Sequence, residues 1–126
     1  MTAWTNDELN KIERTEELQI SSLRKDGSLR KLVTVWVVRV GDDVYVRSTN
    51  GRTASWFRGA QDRHEGRVWV GGINKDVAFV EETDPNVNEK IDQAYRAKYR
   101  RYAGIASHMT DSGPRAATLK LVPPNG

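Results

Sequence analysis

Hydrophobic positions along this chain change period several times, and each change marks an element. Near the start, Leu9 and Ile12 stand three residues apart among polar neighbours, and Thr5 with Glu8 forms a capping box. The pattern predicts a short helix from about Asn6 to Glu16, with Trp4 packed against Leu9 at its entry. Leu18 and Ile20 then alternate with Gln19 and Ser21, which reads as a strand running into a turn at Lys25-Asp26-Gly27. Leu32 to Val40 is apolar or β-branched on both parities: Leu32, Thr34, Trp36 and Val38 on one, Val33, Val35 and Val37 on the other. Among antiparallel hairpins, such a strand reads as a barrel wall, filled inside and covered outside by a helix or another subunit. Gly41-Asp42-Asp43 turns it into a further strand, Val44 to Ser48.

Thr49-Asn50-Gly51-Arg52 breaks the alternation, and Thr53 is placed to cap a short helix through about Ala60 that carries Trp56 and Phe57. After a polar connection from Gln61 to Gly66, the runs Arg67 to Gly71 and Ile73 to Glu82 alternate about Gly71-Gly72. They pair as neighbouring strands through a bulge or a tight hairpin. Asp84-Pro85 opens a helix in which Val87, Ile91, Ala94, Tyr95, Tyr102 and Ile105 recur at helical steps through roughly Ala106. A loop from Ser107 to Pro114 precedes the last strand, with Ala117, Leu119 and Leu121 facing inward. Six short strands, joined mostly by turns too short for parallel crossovers, make the expected class α+β: a small antiparallel barrel with flanking helices.

At 126 residues, with 37% hydrophobic and 29% charged content, the chain reads as one domain over residues 1–126. No apolar run approaches the roughly 18–20 residues that span a bilayer. The opening MTAWTNDEL is acidic and polar where a secretion signal is basic, then apolar, so a cytoplasmic protein off the membrane is expected. The absence of cysteine excludes disulfides, thiolate nucleophiles and Cys-ligated metal. His64 and His108 have no recurring ligand spacing, so no metal is expected, and no Gly-x-Ser-x-Gly marks an acyl-transfer nucleophile. A net charge of +3 without a basic arm makes nucleic acid an unlikely partner, and Arg96, Lys98, Arg100 and Arg101 read as a solvated helix face.

Two sequence-distant loops combine glycine with basic residues: Arg24, Lys25 and Gly27 with Arg30, and Ser48, Asn50, Gly51 and Arg52. Glycine lets a ligand approach the backbone, while amides, hydroxyls and guanidinium forks surround a phosphate or carboxylate. Brought together, the loops make an anion site; kept apart, they are hairpin loops with solvated charges. Trp36, Trp56 and Trp69 are read chiefly as packing, with Trp56 the best placed to form a pocket wall beside Gly51. Tyr95, Tyr99 and Tyr102 form a helical stripe, and a phenol at a barrel mouth is a possible proton donor, as is Tyr45, but no catalytic residue is assigned.

The string VTVWVVRVGDDVYVRSTNGRTASWFRG, with the later AYRAKYRRY and TLKLVP, resembles the bacterial domain-of-unknown-function family 2255, which is similar to the split-barrel superfamily that binds FMN and deazaflavin. That superfamily includes pyridoxamine-phosphate oxidases and deazaflavin-dependent nitroreductases. The resemblance implies a six-stranded antiparallel split β-barrel, commonly a homodimer with its coenzyme in a groove between subunits. It also implies cofactor contacts from Arg24, Lys25, Gly27 and Arg30, then from Ser48, Gly51, Trp56 and Phe57. Asn50 and Arg52 are added as polar and anionic-tail contacts. The chain departs from the oxidase pattern in having Arg52-Thr53 where that branch carries Arg-Lys, and it lacks the Asn-Pro that often follows the helix. The expected function is hydride transfer between a flavin or deazaflavin and a small molecule. The alternative is a non-enzymatic module holding flavin, haem or another anionic ligand.

Overall fold

Thr5 and Glu8 exchange hydrogen bonds at the chain's first helix start, Glu8 N–H to the threonine hydroxyl at 3.1 Å and Thr5 N–H to the glutamate at 2.9 Å. The reciprocal cap starts α1 (Asn6–Arg14) where the pattern places it. The computed structural model describes residues 4–124. After α1 come β1 (Glu17–Ser22), β2 (Val33–Val40), β3 (Asp43–Arg47), a single 3-10 turn (Gly51–Thr53) and α2 (Ser55–Arg63). The chain continues through β4 (Glu65–Val70), β5 (Ile73–Glu81), α3 (Pro85–Lys98), α4 (Ala103–Met109), α5 (Ser112–Arg115) and β6 (Thr118–Val122). The six strands close into an antiparallel barrel in the order β1-β2-β3-β6-β5-β4. Gly71 and Gly72, at φ +54° and +84°, make the β4–β5 connection a two-residue hairpin rather than a bulge.

Inward positions of every strand fill the barrel, including Leu18, Ile20, Val35, Val37, Val44, Val46, Val68, Phe79, Leu119 and Leu121. Leu9 and Ile12 of α1 join this core at the end where β1 begins, and Trp56, Phe57 and Ala60 of α2 join it where β1 ends. The two helices stopper opposite ends of the barrel. Gly66 is glycine for want of room: a Cβ there would overlap the Ser21 carbonyl and lie 2.6 Å from the Phe79 ring. β2 is two-sided as its sequence predicts, with Val38 and Val40 packed outside against Ile91 and Tyr95 of α3 and Tyr99 at its C-terminal cap.

The structure corrects several expected boundaries. Leu32 is 48% exposed and lies outside β2. Thr53 does not cap α2; it sits in the 3-10 turn, and Ala54 occupies the cap without a side-chain bond. The polar stretch Gln61–Arg63 is the last turn of α2, ended by His64 in the left-handed region at φ +60°. The long helix stops at Lys98 instead of Ala106 because its last side chains reach down to the barrel. The Tyr99 hydroxyl meets the Glu16 and Val37 carbonyls at 2.7 Å each. The expected loop from Ser107 to Pro114 holds the end of α4 and the short α5. No helix among the described residues is long and apolar enough to cross a membrane.

Candidate functional site

Arg47 anchors the segment that leads into the second candidate loop. It sits on the outward face of β3, where a charge normally means solvent, yet α3 covers it completely. Its guanidinium pairs with Asp92 and donates to Asn88 Oδ1 at 3.0 Å, the Met109 carbonyl at 3.0 Å and Thr118 Oγ1 at 3.0 Å. Arg115 Nε adds a second bond to Asp92 at 3.1 Å. A buried charge is tolerated only when paired and fully hydrogen-bonded, and this network meets that requirement while tying β3, α3, α4 and β6 together.

The next five residues pass under the α4–α5 segment. Ser48 N–H donates to the Ala117 carbonyl and Gly51 N–H to the Ser48 carbonyl, both at 3.0 Å, while the Ser48 hydroxyl is buried without a partner. His108 Nε2 lies 2.7 Å from the Thr49 carbonyl and so carries its proton there. Gly51 takes φ +73° and is buried beside the Gly113 backbone, and the exposed Asn50 precedes it. Arg52 donates to Glu81 at 2.8 Å and to the Ala116 carbonyl at 2.9 Å, with its guanidinium 5.3 Å from the Phe57 ring centre. Burial raises the Glu81 pKa, but hydrogen bonds from Arg52 and Gln61 outweigh it and hold the carboxyl below its ordinary value.

The first candidate loop is a tight turn. Arg24 N–H donates to the Ser28 carbonyl at 2.8 Å and Gly27 stands at φ +88°. Hydrogen bonds from the Ser28 hydroxyl and N–H lower the Asp26 pKa. The Arg24 side chain is turned back on the Leu29 carbonyl at 2.8 Å, whereas Lys25 is exposed. Arg63 at the end of α2 grips this loop through the Arg24 and Lys25 carbonyls at 2.9 and 3.1 Å. Arg30 lies across α2 at Gly59, where a Cβ would come within 2.5 Å of its Nε, and that Nε is buried without an acceptor.

α2 stands between the two loops: Arg63 at its end holds the Arg24–Lys25 turn, Arg30 crosses its middle at Gly59, and the Ser48–Arg52 loop runs into its start. Arg30, Ser55, Arg58, Gly59 and Asp62 line a cleft of about 230 Å³ here. Arg52 points to the Glu81 flank of α2, and Trp56, 6% exposed, lies in the barrel core in edge contact with Phe57. Ser55, Arg58 and Gly59 were not picked out from the sequence. The available signal was Gly59, since glycine within a helix costs about 1 kcal/mol and marks a close approach. Tyr45, Tyr95 and Tyr99 are buried, and burial pushes Tyr45 up to about 12, whereas Tyr102 is exposed.

A family model described as "Uncharacterized protein conserved in bacteria (DUF2255)" matches residues 8–121. The chain belongs to the DUF2255 family. No curated protein matches it. Among solved structures, this DUF2255 chain is similar to a Listeria innocua protein provisionally named a pyridoxamine 5′-phosphate oxidase. The two share 13% identity at TM-score 0.65, over 93% of this chain and 90% of that one. It is also similar to an F420-H2 dependent reductase, at 14% identity and TM-score 0.61, over 84% and 93% of the two chains. The haem storage protein HutZ from Vibrio cholerae matches at 13% identity and TM-score 0.63, over 96% and 91%. At these identities the likeness establishes the six-stranded split barrel of the DUF2255 chain and nothing about its chemistry.

Proposed function

We propose that this DUF2255 protein binds a flavin or deazaflavin coenzyme by its anionic tail at the cleft beside α2, as a homodimer, and serves hydride transfer to a small molecule. The observation that carries the reading is the Arg30 guanidinium, held against Gly59 with a buried Nε that lacks an acceptor. A phosphate or carboxylate oxygen supplies that acceptor. Arg58 and Ser55 add a second fork and a hydroxyl, and the start of α2 carries no acidic residue and no side-chain cap, which leaves its N–H groups to favour an anion. Lys25 and Arg24 add positive charge nearby, and Gly27 keeps their turn tight.

When bound, such a coenzyme supplies the hydride chemistry at its own ring. The chain's part is to fix the tail at Arg30, to hold the Ser48–Arg52 loop in one conformation from Arg47 and the α4–α5 segment, and to shield the ring. Asn50 is the exposed polar group assigned to the ring side, Ser48 and Gly51, buried under the α4–α5 segment, set the backbone of its loop, and Trp56 and Arg52 back the pocket from behind. The second subunit is assigned to the barrel face around Val80, which is 49% exposed on β5.

Purification from a native host, with absorbance and mass analysis of released small molecules, tests this directly. A flavin or deazaflavin in about one copy per chain supports it, and reduction of an added acceptor separates an enzyme from a carrier. A colourless protein that takes up neither coenzyme on titration refutes it, and haem as the only ligand taken up reassigns the cleft to storage or delivery.

A further inference from the structure

At the opposite end of β2, the C-terminal ends of α1 and α3 border a second cleft, of about 710 Å³. Its floor is formed by Val38 with Ala94 and Ala97, which stand three residues apart on one face of α3; longer side chains at these positions would fill the space. Five cations surround it against one lining carboxylate, Glu13.

Those cations differ in what they have left to offer. Lys98 Nζ donates to the carbonyls of Ile12, Thr15 and Val37 at 3.1, 2.6 and 2.7 Å, so all three ammonium protons are used and it contributes only a fixed charge. Arg39 is turned toward the Gly41 carbonyl at 2.7 Å and Asn10 at 3.2 Å, with Glu13 at 3.6 Å. Arg14, Arg100 and Arg101 are exposed and enter none of the ion pairs among the described residues. A helix C-terminus favours one neighbouring cation. Here three free forks share one concavity above the Lys98 charge, an arrangement that raises the local potential and draws anions in.

We propose that this cleft binds a small organic polyanion, a molecule with an apolar carbon body and at least two phosphate or carboxylate groups, held by the guanidinium forks of Arg14, Arg100 and Arg101. The apolar floor receives the carbon body and the rim receives the charges. The cleft lies at the other end of the barrel from α2, so its occupancy is independent of the coenzyme reading.

Calorimetric titration of the full chain at low salt with inorganic pyrophosphate, ADP and citrate tests the assignment. The wild type, the double variant Arg100→Ser with Arg101→Ser, and Arg58→Ser at the α2 cleft are compared. At least one probe binds the wild type, the double variant loses about tenfold or more in affinity for it, and Arg58→Ser, which alters only the α2 cleft, keeps the binding that the double variant loses. Pyrophosphate and ADP against citrate separate a phosphate ligand from a carboxylate one. The proposal is overturned if no probe binds, if the double variant keeps full affinity, or if Arg58→Ser alone abolishes binding. It is equally overturned if a single-stranded oligonucleotide binds through these arginines while all three small anions fail.

Discussion

Replacing Asp92 by alanine leaves the Arg47 guanidinium buried under α3 with its neighbouring carboxylate gone. The remaining acceptors, Asn88, Thr118 and the Met109 carbonyl, still take its protons, but none carries the opposite charge. Breaking a fully buried pair from one side costs about 3–5 kcal/mol. For a chain of this size, where each kcal/mol moves the midpoint by about 3–5 °C, thermal melting should shift down by roughly 10–25 °C. The double variant Arg47→Met with Asp92→Leu removes both charges together. It should lose less than the two single variants combined, by about 2 kcal/mol or more. Chemical denaturation with linear extrapolation gives the three values. A loss below about 1 kcal/mol for Asp92→Ala, or strict additivity in the double variant, would show that the helical layer does not rest on this pair.

Further expectations follow from other parts of the barrel. Gly66→Ala should destabilise by about 1–3 kcal/mol, because the new methyl meets backbone as well as the Phe79 ring; an unchanged midpoint in urea would contradict that packing. Burial lowers the Lys98 pKa to about 8, against the opposing influence of Glu16 and Glu13. The folded state then binds this proton less tightly than the unfolded chain does, so wild-type stability relative to Lys98→Met should climb as pH rises from about 8 to 10. A constant difference across that range would mean that the three carbonyls keep the ammonium charged. Arg52→Ala should cost no more than about 1 kcal/mol in stability, since its partner Glu81 is in a part-exposed pair, and it should weaken coenzyme binding less than a change at Arg30.

The sequence shows the barrel through residues whose burial depends on their immediate neighbours. Thr5 with Glu8, the alternation of Leu18 and Ile20, the two-sided run of β2 and the Gly71-Gly72 turn all carry their structural reason locally. Arg47 does not, because a charged residue in Val-Tyr-Val-Arg-Ser reads as a solvent-facing position until α3 is known to lie over it. The break between α3 and α4 is hidden for a similar reason. Tyr102 and Ile105 continue the helical spacing, while the cause of the break is a long-range bond from Tyr99 to the barrel. The end of α2 is hidden in the sequence because Gln61, Asp62 and Arg63 lack apolar periodicity, yet Arg63 is what grips the Arg24–Lys25 turn.

In the proposed site, composition points to Arg24, Lys25 and Arg30 as a group but cannot tell them apart. The structure separates them: Arg24 is turned onto its own loop, Lys25 is exposed, and Arg30 is left with an unmet donor against Gly59. The most direct measurement is a titration of the wild type and Arg30→Met with FMN and with a deazaflavin coenzyme, accompanied by melting curves. The account predicts about one coenzyme per wild-type chain, an affinity reduced about tenfold or more in Arg30→Met, and melting curves that nearly coincide. Wild type and variant binding equally well, or neither coenzyme binding the wild type, would contradict it.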